Sequence, residues 1–168
     1  MKNKRQNIFF EFCFRQAYKV LVIWNRIRRP LTLGVVAAIF NESGQILLVR
    51  HSYRKGWYLP AGGVKKGESV QEAICRELWE ELGIKLSQES LKIKGVFYNR
   101  CDGKHDHAVF FEVRDFKGEV APHSFEIAEL SFFPLALNSE GDISFEKLPA
   151  DLGGSSKRLI LSCLKGGV

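Results

Sequence analysis

The chain has 168 residues, 45% hydrophobic and 26% charged. That balance fits one globular domain with a real core and excludes a disordered or fibrous chain. The net charge of +6 sits at one end: residues 1–30 hold eight Lys/Arg against Glu11, a net of +7, while the other 138 residues hold 17 Lys/Arg against 18 Asp/Glu, a net of −1. The basic excess therefore belongs to a leader, and nucleic acid is not expected as a partner of the domain as a whole. No run approaches the roughly 18 uncharged apolar residues of a membrane-spanning helix. Four widely spaced cysteines (Cys13, Cys75, Cys101 and Cys163) form no CxxC pair. They fit reduced thiols in a cytoplasmic protein rather than a disulfide framework or a zinc site.

Lys2, Lys4 and Arg5 precede an apolar segment, as in a signal peptide. Glu11, Arg15 and Lys19 interrupt that segment and no small-residue cleavage site follows, so a signal peptide is not expected. Residues 8–28 read as a basic amphipathic helix. Phe10, Phe14, Ala17, Tyr18, Leu21 and Trp24 recur at three- and four-residue steps, and Pro30 stops the pattern. Its apolar stripe has three possible placements: docked on the body, paired with a second copy in a homodimer, or laid on an anionic membrane surface.

Residues 32–40 and 45–50 read as buried strands joined by a hairpin turn, with Gly44 free to take positive φ. A Gly- and Pro-rich loop leads into a helix over 69–82, closed by Gly83. Strands follow at 91–99 and 107–114, with a short one inside 126–135. The chain ends in a helix for which Ser155 or Ser156 could serve as N-cap. His105 and His107 are a tight histidine pair without a second ligand cluster, and read as a loop-to-strand junction. Strands mixed with two or three helices indicate a layered α/β or α+β domain over residues 31–168, with residues 1–30 as an added helix.

The helix over 69–82 carries Glu77, Glu80 and Glu81 together, although like charges three and four apart repel. Its apolar stripe is Val70, Ile74, Leu78 and Leu82. At about 100° per residue, Glu81 lies beside that stripe, Glu77 slightly further round and Glu80 further still. Three oxygen ligands on the flank of a buried face, without His or Cys, suit a hard cation such as Mg²⁺ or Mn²⁺. Arg76 can pair with Glu72 or Glu80 at i±4 and hold a carboxylate in place. Glu68 favours the positive end of the helix dipole. Gly62 and Gly63 allow close backbone approach to a metal or phosphate, and Lys65 and Lys66 read as solvated.

Gly62, five residues, Glu68, seven residues, Arg76-Glu77-Leu78, one residue, Glu80-Glu81, one residue, then Gly83-Ile84: this spacing resembles a complete Nudix box. The flanks "ILLVRH" and "WYLPAGG" resemble the usual approach to it, and the likeness covers roughly residues 32–164. The resemblance implies an α/β/α sandwich with a mixed sheet. It also implies metal-dependent hydrolysis of a pyrophosphate bond in a nucleoside diphosphate linked to another group. Carried over, Glu77, Glu80 and Glu81 are metal ligands, with a main-chain carbonyl at Ala61 or Gly62. Arg76 orients the glutamates. The general base is Glu80 or a glutamate beyond the box, with Glu126 chosen first and Glu129 second. Arg50, Tyr58, Gly62 and Gly63 are expected to contact the substrate.

The substrate itself stays open. The proline that ADP-ribose-cleaving members carry beyond the box is absent, as no proline lies between Pro60 and Pro122. The tyrosine of dinucleoside-polyphosphate members has only an approximate counterpart in Tyr98, and the coenzyme A-type signature is missing. Trp57, Tyr58, Phe97 and Tyr98 can stack a base, although aromatic residues beside strands are first read as core. Two alternatives remain: a nucleotide-binding module without hydrolysis, and an RNA 5′-end pyrophosphohydrolase whose basic leader grips the strand.

Overall fold

The structure, a computed structural model, describes residues 2–28, 31–101, 104–137 and 143–164. Two faces of one mixed sheet organise it. β1 (Leu31–Ile39) lies between β3 (Ala61–Gly63), antiparallel to it, and β5 (Lys104–Val113), parallel to it; β4 (Lys92–Cys101) closes the far edge antiparallel to β5. β2 (Ile46–His51) pairs with β6 (Ile127–Phe133) in a second sheet, and β7 (Ala136–Leu137) pairs with β8 (Ile143–Ser144). Alternation along each strand sends side chains to opposite faces. Val35, Ala37, Ile39, Leu47 and Val49 pack with α2 (Val70–Leu82), and Val36, Ala38, Ile46 and Leu48 pack on the side of α3 (Gly154–Leu164). The result is the expected α/β/α sandwich, with both sheet faces buried.

Three local expectations change. The turn after β1 forms, with Gly44 at φ 71, but the flanking strands share only a Phe40–Ile46 bridge before diverging. Both edges of β1 are already taken by β3 and β5, so β2 must pair elsewhere. Ser156 is not an N-cap: α3 begins at Gly154, and the buried Ser156 hydroxyl accepts the Leu59 N–H at 3.0 Å. His105 and His107 both lie within β5 rather than at its junction.

The added helix, α1, spans Lys2–Arg28, six residues longer at its start than the apolar periodicity indicates. Pro30, expected to stop it, lies outside the described residues, as do the side chains of Phe10, Cys101 and Cys163. Docking on the body is observed along one face. Phe14 meets Phe125 edge-on at 5.1 Å, Tyr18 meets Tyr53 at 5.0 Å, and Arg15 Nε donates to the Ser52 carbonyl at 3.2 Å. Trp24, assigned to the same stripe, is 55% exposed, with the Arg28 guanidinium over its ring. Phe12, Val20, Ile23 and Ile27 also face outward. Among the described residues no helix is long and apolar enough to cross a membrane.

Two features that position the site can be tested. Ser69 caps α2, accepting the Glu72 N–H while the Glu72 carboxylate accepts the Ser69 N–H. Ser69→Ala removes the cap and should cost about 1 kcal/mol, read as a fall in Tm of roughly 2–4 °C by calorimetry. His51 ends β2 buried, with no hydrogen-bond partner on either ring nitrogen and with Tyr53 and Tyr58 rings 5.0 and 6.0 Å away. Burial, and then the nearby Arg54 charge, push it from 6.5 down to about 3. The folded chain holds that proton less tightly than the unfolded chain. Its contribution is complete above pH 6.5 and is lost as pH falls from there toward 3. Between pH 7 and pH 5 the loss is about 2 kcal/mol. Urea unfolding at both pH values should show His51→Phe less acid-sensitive than the parent by that amount.

Candidate active site

The helix that presents the acidic side chains is bounded by its own chemistry. The Ser69–Glu72 capping box starts α2, and Gly83 ends it at φ 72, a left-handed conformation that any side chain would strain. The buried stripe of Ile74, Leu78 and Leu82 fixes its rotation against the sheet. Exposure of the three glutamates follows their angle from that stripe: Glu81 is 6% exposed, the Glu77 side chain 16% and the Glu80 side chain 49%.

Arg76 ties them together. Its Nε donates to Glu68 Oε1 at 2.7 Å and its Nη2 to Glu68 Oε2 at 2.9 Å. Nη1 reaches Glu77 at 2.7 Å and Glu80 at 3.2 Å, and Nη2 also reaches the Gly63 carbonyl at 3.0 Å. Glu72, one expected partner of Arg76, is taken by the capping box instead. Glu68 is therefore the main anchor of Arg76, beyond any role at the helix dipole. The Arg76 guanidinium, and then the Lys65 N–H, hold its carboxyl down at about 2. Lys65 Nζ stands 3.8 Å from Glu80, both exposed.

Gly62 sits where α2 crosses β3. A Cβ there would lie 1.9 Å from the Glu77 Cδ, so only glycine leaves room for that carboxylate. Its carbonyl oxygen is turned toward β1, beside Gly34. Gly63 meets no such limit.

The electrostatics mark a cluster. Burial, followed by Glu77 and Glu126, raises Glu81 to about 8, and Arg54 opposes the shift. Burial, followed by Glu77 and Glu80, raises Glu126. Glu126 stands just ahead of β6, half-buried, its carbonyl accepting the Ser52 N–H at 2.8 Å. Glu129 instead pairs with Arg50 at 2.7 Å, and Arg50 also lies over the Trp57 ring, so these two engage each other at the surface. Trp57 is core and Phe97 packs against core. Tyr98 is exposed, its hydroxyl 2.7 Å from His105 Nδ1, and does not join the core as aromatic residues beside strands are expected to.

The donor set fits a hard divalent cation in chemistry: oxygen only, with Glu81 Oε2 buried and unpartnered. Among the described residues no three acidic or histidine side chains converge on one point, because Arg76 draws Glu77 and Glu80 toward itself. Glu80, half exposed, is held by Arg76 and Lys65.

Arg54 has no role in the sequence reading. Its guanidinium lies 3.7 Å over the Tyr58 ring, its Nε is buried without a partner, and its charge bears on Glu81. Arg54, Tyr58, Gly62 and Asp106 line one small groove. The only signal in sequence was an arginine in the loop before the box, which solvated loop arginines share.

A profile of the NUDIX domain matches residues 30–150. Among solved structures, the MutT NUDIX hydrolase from Burkholderia pseudomallei aligns with TM-score 0.63 at 26% identity, covering 77% of this chain and 95% of that one. The chain is 36% identical over 69 residues to the 8-oxo-dGDP phosphatase NUDT18 of Homo sapiens, which covers 39% of this chain and 21% of that protein. It is 47% identical over 53 residues to the RNA pyrophosphohydrolase of Shewanella piezotolerans (strain WP3 / JCM 13877), which covers 32% of this chain and 30% of that protein. These two matches thus span under a third of either relative's length. The domain profile covers well over half of this chain, on the same residues that carry the box, the mixed sheet and α2: the chain belongs to the NUDIX family.

Proposed function

We propose that this chain hydrolyses a pyrophosphate bond of a nucleoside diphosphate linked to another group, with Mg²⁺ or Mn²⁺ as cofactor. The observation that carries the reading is Glu81: a carboxylate buried beside Glu77 and Glu126, with one oxygen left without a partner. A structural acid in that position would be paired or absent. Glu77, Glu80 and Glu81 would hold the cation, with the main-chain carbonyl of Ala61 rather than that of Gly62, which is turned toward β1. A divalent cation there supplies charge neutralisation on the diphosphate and a lowered pKa for water. Arg76 positions Glu77 and Glu80, and Arg54 offers its guanidinium to a phosphate beside Tyr58. Glu126, raised by burial and then by its acidic neighbours, takes the proton of the attacking water, with Glu80 as the other candidate. Water oxygen bonds to phosphorus, the bridging P–O bond breaks, and the leaving phosphate keeps that electron pair.

A second reading, cleavage at a triphosphorylated RNA 5′ end, draws on the net +7 of residues 1–30 and on the similarity to an RNA pyrophosphohydrolase. All box carboxylates are present, which weighs against a binding module without turnover.

Phosphate release should be followed across nucleoside triphosphates, nucleotide sugars, ADP-ribose, dinucleoside polyphosphates and triphosphorylated RNA, with Mg²⁺ and with Mn²⁺. One class should be cleaved, and Glu81→Gln should lower kcat/KM by on the order of 100-fold. Unchanged turnover in that variant would remove the assigned role. If RNA is the class, deleting residues 1–30 should weaken its binding and flatten its salt dependence.

Glu81 also gives a prediction free of substrate. Its folded pKa of about 8 lies above the ordinary 4.5. The stability it contributes is present below pH 4.5 and is lost as pH rises through 8. A cation competes with that proton, so Mg²⁺ should raise Tm more at pH 9 than at pH 6. Glu81→Gln should flatten both the pH dependence and the Mg²⁺ response in thermal melts.

A further inference from the structure

α1 does not meet the body along its whole inner face. Between them lies a cleft of about 520 Å³, within the roughly 300–1,000 Å³ of small-molecule sites. Phe14, Tyr18 and Tyr53 supply aromatic walls, Ala17 lies on the α1 side, and Asn25 and Glu126 are its polar members. Asn25 is 5% exposed, and its amide Nδ2 has no hydrogen-bond partner. A buried amide left unsatisfied is costly, and its persistence in a wall of aromatic rings points to a ligand with a polar edge.

We propose that this cleft receives the base of the substrate nucleotide, so that α1, the element added to the family fold, is the wall that reads it. The proposal rests on the functional reading above for the position of the phosphates. Continuity carries it: Glu126 belongs both to the cleft and to the acidic cluster with Glu77, Glu80 and Glu81. A nucleotide with its phosphates at that cluster can therefore extend past Glu126 into the cleft. Asn25 lies seven residues beyond Tyr18, about 10 Å further along α1. Tyrosine rings near the phosphate end and an amide at the far end match a nucleobase, which offers a π-face for stacking and an edge of donors and acceptors. A hydrocarbon chain would leave the Asn25 amide unsatisfied. The outward apolar residues Phe12, Val20, Ile23 and Ile27 do not line the cleft, so a membrane or a second copy covering them would leave it open.

The test uses the full chain with Mg²⁺ and nucleoside monophosphates as probes, which have no pyrophosphate bond to cleave, so that it does not depend on turnover. Hydrogen–deuterium exchange should show added protection in residues 12–28 and 51–55 with at least one base, and isothermal titration should give its Kd. Asn25→Ala should raise that Kd about tenfold without lowering Tm, since the amide it removes has no partner in the fold. Ala17→Trp, which fills the cleft from α1, should abolish the protection. In turnover of whichever substrate the panel identifies, Asn25→Ala should raise KM and leave kcat within about twofold. Nucleotide binding with Kd unchanged in both variants, or no binding to the full chain, would overturn the proposal while leaving the hydrolytic reading to its own test. Protection of α1 that appears only with anionic vesicles, or only as protein concentration rises, would also overturn it, in favour of a membrane or a second copy. Base-dependent protection alongside a Glu81→Gln variant of unchanged turnover would uphold the cleft and remove the catalytic assignment.

Discussion

The arrangement of the site depends on one guanidinium. Glu68, Glu77 and Glu80 crowd around Arg76, and the pairs on α2 would repel without it. A planar fork with fixed donor directions can serve a loop carboxylate, two helix carboxylates and the Gly63 carbonyl at once. A lysine ammonium is a point charge and cannot span those directions. Arg76 also joins the loop of the box to its helix. The spacing between Glu68 and Arg76 is thus a distance requirement on the folded loop as well as a sequence signature.

Burial sets the second condition. The stripe of Ile74, Leu78 and Leu82 must face the sheet, and this rotation carries Glu81 into the edge of the core. The core therefore places the acid, and the acid weakens the core while it is ionised without a counter-charge. Gly62 belongs to the same compromise. The sheet comes so close to α2 that the Glu77 carboxyl occupies the space of a side chain on β3. Packing this tight keeps the carboxylates near one another, with Glu80 the most exposed of the three.

Much of this was legible in the sequence because it is local. The four-residue stripe, the left-handed cap at Gly83 and the angular order of the three glutamates all follow from helix geometry, and the structure reproduces them. What was not legible involves competition or distance. Arg76 had two candidate partners at i±4, but Glu72 was drawn away by the Ser69 cap and Glu68 came in from the loop. β1 and β2 read as a hairpin, yet strands from later in the chain took both edges of β1. Ser156 read as a cap, until the Leu59 N–H, 97 residues earlier, claimed its hydroxyl. Arg54 had no periodicity to mark it, and the α1 cleft needs Asn25 and Glu126, 101 residues apart in sequence.

One short loop brings these parts together. His51 is buried between two tyrosine rings, Tyr53 packs against α1 and lines its cleft, and Arg54 turns to the groove beside Tyr58 and Gly62. Consecutive residues thus face two different volumes, one aromatic and one charged, with buried His51 as their root. A fold built this way separates two tasks. On the proposed function, the carboxylates, Arg76 and Arg54 act on phosphate, whose shape is the same in every nucleotide. The face opposite Tyr53 is supplied by a helix outside the box, so its residues can change without disturbing α2 or the sheet. On the proposal that this cleft takes the base, substrate selection is carried by an element that the box does not contain.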